Sequence, residues 1–579
     1  MKLLKSSALA ATFMLLAIAD PGRPGTLVLE AGRRHLGDNT VRGFEPAKPD
    51  GPEWSIEIPE LPPLPERCVW GLVARVRDVV DANKGDYERG GFVDEIRLDG
   101  VRVAALNDFV DAESGPAHEA WVPLTGAALK KGARLSIAAG KDSDSANLDD
   151  FELENIRLAP MRRVEIRTGG PAKIVVAGAP RLGPDYSSGG ASRVVFTADG
   201  SAEVVLPADS TFNLTASRGP EFEVATAELA PWATAALELI PKRSFDTPGM
   251  ISADFHLHAD PSGDSRIQLR DRIVSCIAEG IEYVVATDHN HATDYGPAIR
   301  ELKAGDLIHS SIGDEITSSK PHIGHFNVFP IDEAIDPAGL TPKTLLERVD
   351  ARSPRGRRVL QINHPRDGGI GYFGIFKLDP ATARSPEADF SLDFDAIEVF
   401  NGKSAWVQLD VCLNDWYGLL NAGVRLTATG NSDSHKLVLE EAGWPRNYVI
   451  VGKEGLPTEA EVIAAVRAHR VVVSSGPVLD VVDAGGHSVV GAALKGGSIE
   501  LKVRLRTPSW APVTSIVVIA NGKPVQTLEP VAEQTLTLAP AADTWYVFIA
   551  EGERFTASVV THDRVRPWGF TNPVWIDVP

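Results

Sequence analysis

The sequence predicts a multidomain protein of mixed class, in which an α/β barrel is flanked by all-β sandwich domains. At 579 residues the chain exceeds the about 100 to 200 residues that one domain usually holds. Before residue 246 and after residue 478, apolar and polar residues alternate at strand spacing, with turn residues between the runs. Between these positions strand-like and helix-like runs alternate, which favours parallel strands with crossover helices and, with this many repeats, a barrel.

The first nineteen residues have the pattern of a secretory signal. Lys2 and Lys5 supply the positive end, residues 6–18 form an apolar run, and AIA at 17–19 is a small-residue cleavage site. A membrane anchor is the alternative, but this run is shorter than the roughly 20 residues that a spanning helix needs. We therefore expect cleavage of residues 1–19 and a periplasmic or secreted protein that is not attached to a membrane.

The segments outside the barrel differ in composition and in the spacing of their apolar residues. Residues 20–66 are rich in proline and glycine, as in EPAKPDGPEW, and are predicted to be an extended lead-in. Alternating runs at short spacing predict a β-sandwich at 67–161, a smaller β-domain at 162–245 and a C-terminal β-sandwich at 479–579.

The barrel segment, residues 246–478, is predicted to contain strands and helices in turn. The predicted strands are MISADFHLH, IEYVVAT and residues 307–316, 325–330, 359–362, 396–400, 424–429, 448–451 and 471–474. The predicted helices are residues 266–279, 342–352, 405–422 and 459–469.

Charge and cysteine content exclude some classes of partner and framework. The formal net charge of −20 repels nucleic acid and anionic membranes, so we expect a small-molecule substrate and no nucleic-acid partner. An anionic substrate would need a locally positive pocket, which a metal cluster supplies most simply. The three cysteines are widely scattered and do not form a disulfide framework.

The segment ADFHLHADPSGD, residues 253–264, is the first indication of chemistry. If it is a strand, His256 and His258 point to the same face and aim at one point. Two such histidines alone are a weak signal, because a polar strand end has the same pattern. The residues downstream strengthen it.

Candidate ligands recur at the ends of apolar runs throughout the barrel segment. Besides the two histidines they are Asp264, His289, Glu315, His325, His364, Asp433 and His435. Strand ends of a parallel barrel converge on one mouth, so we expect these side chains to meet there. Imidazoles mixed with carboxylates suit Zn, Mn or Fe, and two or three divalent ions are expected, with Glu315 best placed to bridge two of them.

The ordered motifs resemble those of the polymerase-and-histidinol-phosphatase (PHP) family of metal-dependent hydrolases. The motifs are HLH with aspartate six residues on, TDH, GDEIT followed by GHF, INHP, IEVFNG and GNSDSH. They span about residues 251–476, and HLHADPSGDS, ATDHN and SSGP are similar to the secreted carbaryl-hydrolase-like branch. The resemblance implies a distorted seven-stranded (β/α) barrel that holds a trinuclear centre.

The resemblance also implies which residues hold each metal. The first would be held by His256, His258, Glu315 and Asp433. The second would share Glu315 and add His325 and His364. The third would be held by Asp264, His289 and His435, with aspartate at 264 where some members have histidine. His322 is a rival for the His325 position, but His325 follows glycine and opens an apolar strand.

Three further residues are candidates for catalytic or positioning roles. Asp288 is expected to orient His289 or the nucleophile, with simple capping of a strand end as the alternative. Glu398 is expected to hold a ligand histidine by a hydrogen bond. The planar fork of Arg366 could clamp a phosphate or carbonyl oxygen, and a surface ion pair is the alternative.

These observations favour an exported metal-dependent hydrolase that attacks a phosphoester with metal-activated water. A carbamate or carboxyl ester is the alternative substrate. A different class, an inactive glycan- or surface-binding protein, would explain the flanking β-domains, but no ligand position is replaced by an apolar residue.

Overall fold

A computed structural model describes residues 24–80, 90–111, 116–125, 129–183, 193–403 and 405–579. The predicted signal segment, residues 1–19, lies outside these ranges. Among the described helices, none has the length and apolar character needed to cross a membrane.

The N-terminal domain consists of two antiparallel sheets around one core. Its strands are β1 (Leu27–Leu36), β2 (Glu53–Glu57), β3 (Cys68–Arg77), β4 (Glu95–Leu98), β5 (Val101–Ala105), β6 (His118–Pro123), β7 (Arg134–Ala138) and β8 (Phe151–Arg167), with a 3₁₀ turn at Leu106–Phe109. One sheet has the order β1-β8-β3-β6 and the other β2-β7-β4-β5. Trp54 and Trp70, one from each sheet, are buried in the shared core.

The proline-rich segment at 20–66, predicted to be an extended lead-in, contributes β1 and β2 to this domain. Strand β1 pairs with β8 through two register shifts, between Val28 and Glu30 and between Glu30 and Arg33. Such irregularities break the period of two that identifies a strand in a sequence.

The second domain shares a strand with the first. Its strands are β9 (Ala172–Ala177), β10 (Val194–Thr197), β11 (Ser201–Pro207), β12 (Phe212–Ser217), β13 (Phe222–Glu223), β14 (Ala225–Leu229), β15 (Leu237–Glu238) and β16 (Lys242–Arg243). The 17-residue β8 pairs with β1 and β3 and then, further along, with β11. The predicted boundary between residues 161 and 162 therefore lies inside a strand.

The segment that carries the candidate ligands alternates strands and helices, as predicted. Its strands are β17 (Met250–Leu257), β18 (Tyr283–Ala286), β19 (His309–Ile312), β20 (Asp314–Thr317), β21 (His325–Phe329), β22 (Val359–Ile362), β23 (Ala396–Asn401), β24 (Thr427–Asn431), β25 (Arg446–Ile450) and β26 (Val471–Ser474). Its helices are α1 (Leu269–Ala278), α2 (Gly296–Glu301), α3 (Pro342–Arg352), α4 (Tyr372–Ile375), α5 (Ala405–Asn421) and α6 (Glu459–Arg467).

These strands form two sheets, and the described residues show no closed barrel. One sheet contains β19-β18-β17-β25-β26 and the other β20-β21-β22-β23-β24. Isolated bridges between His289 and Glu315, and between Leu257 and Ser434, connect the two sets of strands. The expected distorted (β/α)₇ barrel is therefore confirmed only in part: strands and helices alternate, but in the described part of the chain the sheet is not closed. Strands β20, β21 and β22 pair antiparallel. The connection between β20 and β21, residues 318–324, is too short for a crossover helix, whereas the connection between β21 and β22 contains α3.

The C-terminal region continues the first of these sheets. Its strands are β27 (Val478–Val482), β28 (Ala493–Lys495), β29 (Ile499–Arg506), β30 (Ser515–Ala520), β31 (Lys523–Leu528), β32 (Glu533–Leu538), β33 (Thr544–Glu551), β34 (Trp568–Thr571) and β35 (Val574–Asp577). Strand β34 pairs with β26, while β27-β29-β32 form a separate sheet. The predicted C-terminal sandwich is thus joined to the ligand-bearing segment by backbone hydrogen bonds.

Candidate metal centre

The centre begins at the end of β17. His256 lies in this fully buried strand and His258 follows it, so both imidazoles emerge on the same side. Ser434 lies against Leu257 in an isolated bridge, and the Asp433 backbone N–H donates to the carbonyl of His256 at 3.0 Å. These backbone contacts fix the loop after β24 against the end of β17.

The antiparallel pairing of β20 to β22 explains why one ligand opens a strand. Because β21 runs opposite to its neighbours, its first residue lies at the end where β20 and β22 finish. His325 at that position therefore faces Glu315 of β20 and His364, which follows β22. His325 therefore opens its strand and does not follow an apolar run.

Two candidate ligands have backbone conformations that side chains rarely adopt. His364 has a φ of 24° and Asp433 a φ of 51°. Non-glycine residues in the left-handed region are uncommon, and they concentrate where the surrounding structure fixes a functional geometry. The turns after β22 and β24 therefore aim these side chains at the expense of local strain.

Four side chains form the most regular part of the cluster. His256 Nε2 lies 3.3 Å from Glu315 Oε2 and 3.4 Å from Asp433 Oδ1. His258 Nε2 lies 3.3 Å from each of the same two oxygens. Ligand bonds of 2.0–2.1 Å at tetrahedral angles put neighbouring donors about 3.3 to 3.4 Å apart. These four separations match the spacing of neighbouring donors around one ion. The groups that could hold an ion place His256 and His258 with Glu315, and place His256 and His364 with Asp433.

The remaining candidates lie beside this group. His325 Nδ1 and His364 Nε2 lie 3.1 and 3.5 Å from Glu315 Oε1. On the other side, His289 Nε2 and His435 Nε2 lie 3.3 and 3.1 Å from Asp264 Oδ2. All nine predicted ligands fall within four overlapping groups that could hold a metal ion. The groups overlap more than the motif assignment implies, since His258 also joins the third set and His289 also lies 3.0 Å from Glu315.

The buried donor atoms of the cluster lack hydrogen-bond partners. Nε2 of His256, His258 and His435 and Oε2 of Glu315 are buried without one. A buried unpaired polar atom is costly, and here several point at one another. The residues present therefore fit divalent ions, which would satisfy these atoms together.

The charged groups of the cluster shift one another's pKa values. Burial alone would raise the pKa of Glu315, but His289 and His256 outweigh it and hold that pKa well below its usual value. Burial likewise opposes protonation of His289, yet the Glu315 carboxylate raises its pKa to about 10. Burial, and then His435, hold the pKa of His258 well below its usual value. The carboxylates therefore stabilise positive charge in the cluster, as a cation site requires.

Neighbouring groups fix the orientation of the ligand imidazoles. His256 Nδ1 lies 2.9 Å from Glu398 Oε1, as expected for a carboxylate that holds a ligand histidine. His258 Nδ1 lies 3.0 Å from the Ser262 hydroxyl and His289 Nδ1 lies 2.7 Å from the Thr317 hydroxyl. In His256 and His258 these contacts leave Nε2 directed at Glu315, whereas Nδ1 of His289 also lies 3.0 Å from Glu315 Oε2.

Two other predicted site residues lie differently from the expectation. Asp288 accepts a hydrogen bond from the Ala259 backbone N–H at 2.6 Å and is also hydrogen-bonded to the Thr293 side chain. Arg366 is paired with Asp415 through two nitrogens, at 2.6 and 3.0 Å, and also donates to two backbone carbonyls. The guanidinium is thus engaged in an ion pair, which was the alternative to clamping a substrate oxygen. His322 is exposed and belongs to none of the metal groups.

Sequence reasoning missed two asparagines that donate to ligands and a lysine that lies beside one. Asn363 donates to Glu315 Oε1 at 3.0 Å, and Asn401 donates to Asp433 Oδ2 at 3.0 Å. Lys403 Nζ lies 3.2 Å from His435 Nδ1. The two asparagines lie within the INHP and IEVFNG motifs, so the motifs themselves were the available signal. Ser262 and Thr317 carried no signal of this kind.

No protein-family model matches this chain, and no curated protein matches it. Among solved structures, this chain is similar to a two-domain protein from Bacteroides vulgatus that contains a predicted PHP-like metal-dependent phosphoesterase. The two sequences are 15% identical, the match covers 56% of this chain and 96% of the other, and the TM-score is 0.31. A protein from Bifidobacterium adolescentis described as a metal-dependent phosphoesterase matches at 15% identity, 37% and 94% coverage and a TM-score of 0.23. An amidohydrolase from Chromobacterium violaceum matches at 15% identity, 38% and 96% coverage and a TM-score of 0.24. These scores do not assign the chain to a family.

Proposed function

We propose that this chain is a metal-dependent hydrolase that cleaves a phosphoester. The observation that carries the proposal is the convergence of His256, His258, Glu315 and Asp433, where each histidine Nε2 lies 3.3 or 3.4 Å from an oxygen of both carboxylates. Divalent ions bound there would polarise a phosphoryl oxygen and lower the pKa of water.

The chain's own residues hold this arrangement ready for substrate. Glu398 and Thr317 fix the ring orientations of His256 and His289, so that little reorganisation is needed on metal binding. Asp264 is about half exposed, at 49%, whereas Glu315 is buried. The cluster therefore opens to solvent on the Asp264 side, and substrate would enter there.

The order and completeness of the motifs favour phosphoester chemistry, and the same centre would serve a carbamate or carboxyl ester. An inactive binding protein is disfavoured because it has no need for nine donors that converge. Export through a cleaved signal at residues 1–19, and a small-molecule substrate, belong to the same proposal. Mass spectrometry of the mature protein would test the cleavage.

The central test removes one imidazole and one carboxylate from the candidate metal site. For the double variant His256→Ala and Asp433→Ala we expect at least about a 100-fold loss of phosphoester hydrolysis, because both side chains hold the same ion. Elemental analysis should show the loss of at least one metal equivalent, with the thermal unfolding transition still cooperative.

A matched pair of residues controls for the loss of charge. His487 and Asp483 form an exposed pair at 3.5 Å in the C-terminal region. The double variant His487→Ala and Asp483→Ala should keep metal content and turnover. A folded His256→Ala, Asp433→Ala protein with activity within tenfold of the parent would contradict the metal-site assignment.

The type of ester is tested separately on the parent protein. Metal-loaded protein is assayed against phosphomonoesters, phosphodiesters, aryl carbamates and carboxyl esters. Turnover of phosphoesters with inhibition by inorganic phosphate supports the proposal. Turnover of carbamates alone would replace it with the alternative.

A further inference from the structure

The turn that follows β23 ties a lysine to the candidate metal centre. Asn401, the last residue of β23, donates to Glu398 Oε2 at 2.9 Å and to Asp433 Oδ2 at 3.0 Å. Its own Oδ1 accepts from the Lys403 backbone N–H at 2.9 Å. The position of Lys403 is therefore set by the same side chain that holds a candidate ligand.

The Lys403 ammonium lies beside the cluster without an acceptor of its own. Nζ is 3.2 Å from His435 Nδ1, but that nitrogen is also 2.9 Å from the Asp433 carbonyl oxygen. When Nε2 of His435 serves as a ligand, Nδ1 carries the proton and donates to this carbonyl, so it cannot accept from lysine. Among the described residues, no carboxylate lies within ion-pair distance of Lys403.

Other cations near the centre are already engaged. Arg272 is buried and donates to the carbonyls of His258 and Ser434. Lys436 pairs with Glu440 at 3.2 Å, and Arg366 pairs with Asp415. In the described part of the chain, Lys403 is thus the exposed cation that reaches the mouth of the centre with its donors available.

We propose that Lys403 binds a terminal phosphate oxygen of the substrate and selects phosphomonoesters over neutral esters. This inference rests on the proposed function and names its substrate class. Bound divalent ions would neutralise Asp433 and Glu315, and an anion lying between the ions and the ammonium would then stabilise the lysine in this position. A phosphomonoester dianion has three terminal oxygens and can meet both the ions and the lysine, whereas a neutral carbamate has no oxygen to spare for it.

The test uses full-length, metal-loaded protein with Lys403→Met and Lys403→Arg. Inorganic phosphate is titrated by calorimetry, and KM is measured for 4-nitrophenyl phosphate. For Lys403→Met we expect Kd for phosphate and KM to rise together by about 10- to 100-fold, the range of a charge-assisted hydrogen bond. Lys403→Arg should recover most of the binding, because the charge is kept. Metal content should stay unchanged in both.

A second lysine provides the control. Lys377 is exposed and paired with Glu387, so Lys377→Met removes the same charge elsewhere and should leave phosphate binding unchanged.

A phosphate Kd for Lys403→Met within twofold of the parent would overturn the inference, and so would a loss of metal from that variant. If phosphate binding depends on Lys403 but no phosphoester is hydrolysed, the anion site stands and the proposed function fails. If hydrolysis persists with an unchanged KM, the proposed function stands and the Lys403 inference fails.

Discussion

Glu398 shows how one buried carboxylate organises several ligands. Its Oε1 lies 2.9 Å from His256 Nδ1 and 3.0 Å from the Asn431 amide nitrogen. Its Oε2 accepts from the His364 backbone N–H at 2.9 Å and from Asn401. Every contact requires an acceptor, which an ionised carboxylate supplies with both oxygens.

Replacing this carboxylate by an amide should loosen metal binding without unfolding the protein. In Glu398→Gln one acceptor oxygen becomes an NH₂ donor, so either His256 or the His364 turn loses its partner. We expect the affinity for the most tightly bound metal to fall by about 10- to 100-fold. The affinity is measured by competition with a chelator of known stability.

The control for this variant is Glu500→Gln, an exposed glutamate in β29 that should not change metal affinity. An unchanged metal affinity in Glu398→Gln would show that the bond to His256 has no part in preparing the site.

At the scale of elements, the turn after β23 must approach two other backbone segments closely. A Cβ on Gly402 would lie 2.4 Å from the Trp444 carbonyl oxygen and 2.7 Å from that of Ser432. Both obstacles are backbone atoms, so neither can rotate away. Gly402 therefore lets this turn pack against the loop that carries Asp433.

Gly402→Ala should displace that loop. We expect a destabilisation of about 1 to 3 kcal/mol, typical of overpacking, with weaker metal binding because Ser432 adjoins Asp433. Urea unfolding and metal titration measure the two effects. Gly497→Ala is the control, since a Cβ there meets no atom within 4 Å. Parental stability in Gly402→Ala would mean that the turn can shift freely.

Elements set by local signals could be predicted, and those set by tertiary contacts could not. Helix α3 has the predicted bounds because Thr341 forms a capping box and Pro342 starts the helix. The predicted strand at 307–316 is instead two strands that belong to different sheets, a break that depends on pairing partners remote in sequence. The antiparallel pairing of β20 to β22 was missed for the same reason, because alternating strands and helices in a sequence suggest parallel pairing.

The same division applies to the site. Metal ligands are limited to a few residue types, and their repetition after apolar runs made them visible in the sequence. The partner of Arg366 was not visible, because Asp415 lies 49 residues away on α5. Lys403 was also missed, since its relation to His435 depends on how two turns meet in space.

At the scale of the whole molecule, buried contacts connect the second domain with the ligand-bearing segment and with the C-terminal region. Lys173 of the second domain is fully buried, pairs with Glu279 and donates to the Val559 carbonyl at 2.5 Å. Glu279 also accepts from the Trp444 indole nitrogen at 3.0 Å. A buried charge of this kind is strongly destabilising when its partner is removed, so the domains are held in one arrangement.

The C-terminal region contacts the ligand loop through Thr561. Its hydroxyl donates to Glu441 Oε1 at 2.6 Å and accepts from the Leu439 backbone N–H at 2.7 Å. The adjacent Glu440 accepts from the His435 backbone N–H at 3.3 Å. Thr561 is thus a positioning residue that acts on His435 through this loop.

Thr561→Val should weaken metal binding from outside the ligand-bearing segment. Valine keeps the shape of threonine but leaves the Leu439 N–H without its acceptor, which costs about 1 to 3 kcal/mol in the loop. Because His435 and Asp264 lie together at the exposed side of the cluster, we expect the most weakly held metal to be lost first on titration with a chelator. The thermal midpoint should change little.

The control is Thr514→Val, which removes an exposed hydroxyl bonded to the Glu551 carbonyl in the same region and should behave as the parent. Equal chelator resistance in Thr561→Val and the parent would show that the C-terminal region does not support the metal centre.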